Sequence, residues 1–149
     1  PKASMKEVAK PKFYLFDTGV TRATTNRIGA PFTPEEKGLL FETFVLHELR
    51  THINNSSARG ELSYWKSGSG NEVDIIWSKA DTHIGIEIKS SSNWKPRYNK
   101  GLKTLLEKGY LTKAIGIYQG THRQRFDNIT VYPILEFFAE LHSGAILTL

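Results

Sequence analysis

The chain contains no cysteine. Disulfides, thiolate metal sites and a cysteine nucleophile are therefore excluded, and the composition fits a reducing, cytoplasmic setting. No apolar run approaches the roughly 18 residues of a membrane span, and no signal-peptide pattern opens the chain, so no membrane partner is expected. No G-x-S-x-G appears, which removes a serine nucleophile elbow. The five histidines are scattered. His47 and His52 are five apart, off the i, i+4 spacing of a helical zinc pair, and His83, His122 and His142 have no ligand-spaced neighbours.

What is present describes one globular α/β domain. There are 149 residues, 39% hydrophobic and 11% aromatic, enough to bury a core. Residues 1–12 form a Lys-rich lead, read as flexible. Residues 13–149 carry no internal repeat and no linker. The chain starts on Pro1 and is read as a piece of something longer. Its net charge is +5, and residues 89–113 hold seven basic side chains against one acid, Glu107. That run is either a solvated helix face or a surface for a polyanion, with Lys95, Arg97, Lys100 and Lys103 as the contacts for nucleic acid. Trp94 and Tyr98 beside it are candidate base-stacking platforms, whereas Trp65, Trp77 and Phe44 read as core.

Phe13–Phe16 is an aromatic strand ended by the Asp17-Thr18-Gly19 turn signal, and residues 20–34 read as a loop. Thr33 then offers an N-cap, Pro34 a first helical position, and Glu35 and Glu36 first-turn acids, predicting a helix to about residue 53. Strands follow over 62–66, 72–77 and 83–89. A helix over 97–108 presents Tyr98, Leu102, Leu105 and Leu106 on one face. Strands over 114–118 and 129–132 and a helix from Pro133 to His142 complete the chain. A helix between strands implies a parallel pair, and the three strands before it a meander.

Two of those strands contain charge. Successive strand residues face opposite ways, so Ile84, Ile86 and Ile88 share one face and Glu87 and Lys89 the other. In residues 72–77, Val73, Ile75 and Trp77 share a face, with Glu72, Asp74 and Ile76 opposite. A hairpin turning on Ala80–Asp81 pairs positions that sum to 161, and Asp74 with Glu87 is such a pair. Directly opposed carboxylates lie about 4.5–5.5 Å apart at Cβ and repel; they call for a cation, and Mg²⁺ (or Mn²⁺) takes such oxygen ligands. On the first helix, at about 100° per residue, Glu42 falls amid Leu39, Val45, Leu46, Leu49 and Ile53, where an unpartnered carboxylate is costly. Each observation has an ordinary alternative: a wet sheet face, a surface Asp74–Lys89 salt bridge, a glutamate reaching solvent.

Glu42, Asp74 and Glu87-Ile88-Lys89, on a helix–strand–strand–strand–helix–strand order, resemble the PD-(D/E)XK nuclease superfamily of restriction endonucleases and junction resolvases. FYLFDTGV, GLLFETFVLHELR, LSYWKSGSGNEVDII, IGIEIKSS and YPILEFF look like the domain of unknown function at the C-terminal end of many prokaryotic AAA-family ATPases. The resemblance implies a restriction-endonuclease-like mixed sheet with core order αβββαβ, plus the N-terminal strand and C-terminal helix. It implies a metal held by Asp74, Glu87 and the Ile88 carbonyl, catalytic roles for Lys89 (activating water, stabilising phosphate charge) and Glu42 (holding a water or second ion), and nucleic acid, DNA first, as partner. Val73 stands where the superfamily commonly has Pro, and Gln119 is the candidate for its later polar residue. The phosphate loop of the ATPase half, G-x-x-x-x-G-K-[ST], is not in this sequence; the ATPase half of a longer chain is therefore an expected partner.

Overall fold

The computed structural model describes Tyr14 and residues 17–148. The lead over 1–12 and, apart from Tyr14, the strand expected over 13–16 lie outside the described residues.

Thr33 begins the longest helix, α2 (Pro34–Asn55). Its hydroxyl accepts from the Glu36 amide at 3.2 Å, and the Glu36 carboxylate accepts from the Thr33 amide at 3.4 Å. This reciprocal capping box satisfies two amides that the first turn leaves without partners. Phe41, Val45, Leu46, Leu49 and Ile53 are buried, but no residue of α2 before Phe41 is. Leu39, expected in the apolar stripe, is therefore exposed, because the first turns extend beyond the core. Phe44, expected in the core, is also exposed: it lies about 200° around the helix from Glu42 and meets Phe138 edge-to-face, at 5.6 Å between ring centroids.

The meander β1 (Glu61–Lys66), β2 (Glu72–Lys79) and β3 (Thr82–Lys89) is antiparallel. A 3₁₀ turn (Pro96–Asn99) runs into α3 (Lys100–Glu107) and crosses to β4 (Lys113–Tyr118), parallel to β3. Next come β5 (Gln124–Phe126), β6 (Ile129–Pro133, parallel to β4) and α4 (Ile134–His142). The sheet order is β1-β2-β3-β4-β6-β5. The described residues form an α/β fold of four helices on a six-stranded mixed open sheet. No helix among the described residues is long and apolar enough to cross a membrane.

Two elements depart from the sequence expectation. α1 (Thr18–Thr24) is a helix where a loop was expected. Asp17 acts as its N-cap, accepting from the Val20 amide at 2.9 Å, so the Asp-Thr-Gly signal starts a helix instead of a turn. β5 occupies part of the expected loop after β4; three residues are too few to show an alternating pattern.

The core has two layers. Ile75, Trp77, Ile84, Ile86 and Ile88 pack with α2 and α4 on one face. Ile76, Ala114, Ile129 and Val131 pack with Leu102 and Leu105 of α3 on the other. Val73, expected beside Ile75 and Trp77, instead joins the α3 layer. Pairing explains this: Ser63 lies opposite Ile76, but Trp65 lies opposite Val73. Three steps on β2 against two on β1 make a bulge around Asp74 and Ile75, which reverses the alternation.

Candidate functional site

The β2–β3 hairpin sets the geometry. Lys79 pairs with Thr82, and the ladder runs through Ser78–His83 to Ile75–Ile86, every pair on the expected register. It stops there. One step further, Asp74 accepts the Ile88 amide through Oδ2 at 2.8 Å. A side chain has replaced the backbone partner, at the point where the bulge redirects β2.

This places two carboxylates in the interior. Asp74 and Glu87 are each 4% exposed. The Lys89 ammonium reaches both, 2.5 Å from Glu87 Oε1 and 3.6 Å from Asp74 Oδ2, with its side chain a quarter exposed. Ile88 lies between Glu87 and Lys89 and anchors Asp74 through its amide. Glu42 takes a different partner: half-buried on α2, it accepts a short hydrogen bond from the Tyr14 hydroxyl. Among the described residues, no group of three or more histidine and acid side chains is disposed to hold a metal ion. The set is thus two acids and an ammonium, with Glu42 held by Tyr14.

Electrostatics follow from this crowding. Burial pushes the Glu87 carboxyl up, Asp74 pushes it further, and Lys89 offsets only part, leaving it at about 8. Burial opposes the Lys89 charge, but Asp74 and Glu87 together outweigh it and raise its pKa. Tyr14 is raised by burial first, then by Glu42, with Asp74 and Glu72 adding to it, so one field spans Tyr14, Glu42 and Asp74. Glu72 itself pairs with Lys66 at 3.3 Å.

Lys95, Arg97, Lys100 and Lys103 are all exposed. Arg97 is linked to the acids by contact: its guanidinium lies 5.5 Å from the Tyr98 ring centroid, and the Lys89 ammonium lies 5.7 Å from the same ring. Lys103 pairs with Asp127 at 2.9 Å. Trp94 is not a stacking platform. It is 7% exposed, donates Nε1–H to Asn99 Oδ1 at 2.9 Å and packs edge-on against Tyr98 and Tyr118. Gln119 is exposed just past β4, its amide donating to the Ser91 carbonyl. Tyr14 was missed from sequence: it sits 28 residues before Glu42 in a run that reads as plain core. From sequence Tyr98 reads as a candidate base-stacking platform and part of the helix's apolar face; in the structure it is half-buried in the 3₁₀ turn, with the Lys89 ammonium over its ring.

Residues 37–137 match the family model described as a domain of unknown function, DUF4143. The match runs from α2 into α4 and includes Glu42, Asp74, Glu87 and Lys89. No curated protein matches the chain. With more than half its length under that model, the chain belongs to the DUF4143 family.

Proposed function

We propose that this domain is a metal-dependent phosphodiesterase acting on nucleic acid, DNA first, built on a restriction-endonuclease-like arrangement of the sheet. The observation that carries the reading is one atom. Glu87 Oε2 is buried and, among the described residues, has no hydrogen-bond partner. A buried carboxyl oxygen without a partner costs about 1–3 kcal/mol, and once Glu87 ionises the second buried acid aggravates it. A hard cation with oxygen ligands would meet that need, which supports Mg²⁺ or Mn²⁺ as the ion. Asp74, Glu87 and the Ile88 carbonyl would hold it.

When bound, such an ion supplies Lewis acidity and charge for phosphate chemistry. The chain's own groups do the rest. The Ile88 amide fixes Asp74. Lys89 carries a positive charge beside both acids, suited to charge that develops on a phosphate oxygen. Arg97, Lys95 and Lys100 offer the exposed positive surface for the backbone, which makes binding salt-dependent. Glu42, steadied by Tyr14, would hold a water near Asp74. An ATPase half elsewhere in a longer chain would act as the partner that governs access.

A second reading has its own observation. Lys89 already sits against both acids, and Glu42 is engaged by Tyr14, so the same residues could serve a nuclease-like module that binds nucleic acid or a protein without cutting it. Calorimetric titration with Mn²⁺ separates the two. The phosphodiesterase reading expects binding by the wild type and none by Asp74→Ala; equal behaviour, or no binding by either, sinks it. A nuclease assay on Lys89→Ala then expects loss of cutting with the metal still bound.

A further inference from the structure

We propose that the site takes unpaired DNA and seats one splayed base in a small cavity behind Asp74, between Tyr14 and Tyr64. The position of this subsite rests on the phosphodiesterase reading; its chemistry stands on the cavity. The hollow encloses about 130 Å³ and is lined by Tyr14, Tyr64, Leu46, Leu62, Arg50 and Asp74, among others. That is far below the roughly 300–1,000 Å³ of drug-sized pockets, and near the bulk-liquid share of about four water molecules. It suits one planar ring and not a whole nucleotide.

The lining suits a base as well. Leu46 is buried and forms part of an apolar floor, the two tyrosines and Leu62 are half-buried walls, and Arg50 stands exposed. The Tyr14 hydroxyl is engaged by Glu42, which fixes that ring in place. Aromatic walls accept any base through its π-face, and guanidinium groups add polar and cation–π contacts. The larger hollows beside Arg22 and beside Leu135 share no residue with this cavity or with the acids.

Continuity decides which way the strand lies. From exposed Arg97 the contacts run to Tyr98 (5.5 Å), from Tyr98 to Lys89 (5.7 Å), from Lys89 to Asp74 (3.6 Å), and Asp74 is itself part of the cavity wall. Lys89 and Arg97 meet at the Tyr98 ring, and Asp74 is shared between Lys89 and the Tyr14–Tyr64 cavity, which also holds Arg50. A strand that follows this path keeps its phosphates on the Arg97–Lys89 side and turns a base toward Tyr64. A base locked in a duplex cannot do so without a flipping cost of a few kcal/mol, whereas an unpaired one can.

The test measures binding by the intact 149-residue chain with a chelator present, so that nothing is cut. The probes are a short single-stranded oligodeoxynucleotide containing 2-aminopurine, the matching duplex, and a strand of equal length built wholly from abasic sugar phosphates. Tighter binding of the single strand than of the other two is expected, with about a 5- to 150-fold loss in Tyr64→Ala, the equivalent of 1–3 kcal/mol per stacked base, and recovery in Tyr64→Phe. Equal affinity for all three probes overturns the proposal, and that comparison holds even if Tyr64→Ala fails to fold. A parallel Mn²⁺ cleavage assay keeps the two ideas apart. Cutting of duplex and single strand alike, indifferent to Tyr64, removes the base subsite and leaves the phosphodiesterase standing. Base-dependent binding with no cutting of any probe does the reverse.

Discussion

Glu87 is the residue on which the site's chemistry turns. An acid whose pKa rises on folding holds its proton more tightly in the folded chain than in the unfolded one. Its contribution to stability is therefore whole below its ordinary 4.5 and is lost as pH climbs through about 8. A shift of this size in a buried group is worth on the order of a few kcal/mol. Metal-free wild type should thus lose stability between pH 5 and pH 8 relative to Glu87→Gln, which keeps the shape without the charge. At pH 8 the variant should melt higher. Parallel melting curves for the two proteins across that range would dispose of the idea that Glu87 is held protonated by burial and Asp74. At this scale the sequence was informative in part: hairpin register could be counted as far as Ile75–Ile86, but the direct Asp74–Glu87 pair it predicted is absent from the ladder, because the β2 bulge turns Asp74 to the Ile88 amide and Lys89 then reaches both acids. Glu42 was placed on the correct helix but not with its partner, because Tyr14 reaches it only through tertiary packing.

The elements that carry these residues are fixed by short-range chemistry, and two of them are testable at their weakest points. The two-residue turn of the β2–β3 hairpin puts Ala80 at φ 51°. That is the first central position of the turn, where Gly is favoured and an alanine pays for its Cβ. Ala80→Gly should stabilise the chain by about 0.5–1 kcal/mol, after allowing for the greater entropy of the unfolded glycine chain. Thermal melting should show a rise of about 1–4 °C for a chain of this size; a fall would show that the turn is not strained. Gly101 marks the opposite case. A Cβ there would stand 2.1 Å from the Glu72 carbonyl oxygen, a backbone atom that cannot swing aside. Gly101→Ala should destabilise by about 1–3 kcal/mol or more, and its melting point should drop accordingly; an unchanged one would mean that α3 does not seat this closely on β2. The N-cap of α2 and the hairpin register as far as Ile75–Ile86 were readable because both are local rules. The β2 bulge was not, since it exists only in the mismatch between β1 and β2, and α1 was not, since a single Asp17 side chain decides between turn and helix.

For the whole molecule, the layering explains why a site can exist at that place. β2 and β3 are interior strands, with α2 over one face and α3 over the other, so a side chain that leaves the ladder there remains buried. The basic surface and the buried acids consequently have opposite exposures: Arg97, Lys95 and Lys100 face solvent, while Asp74 and Glu87 do not. The crossover and the parallel pair were legible from element order, but the meeting of charge and burial at one end of the sheet appears only when both layers are in place. It also gives the site a global readout. A cation that binds the folded chain and not the unfolded one adds RT ln(1 + [L]/Kd), about 2.7 kcal/mol at a hundredfold excess over Kd. At about 2–4 °C per kcal/mol for a chain of this length, Mn²⁺ at that excess should raise the melting temperature by roughly 5–11 °C. Because the ion must displace the proton on Glu87, the rise should be small at pH 6, grow as pH approaches about 8, and be accompanied by proton release in calorimetry. Asp74→Ala should show no rise at any pH. An equal rise in wild type and Asp74→Ala would place the ion elsewhere on the surface, and no rise in either would leave Lys89 as the permanent counter-charge of the two acids.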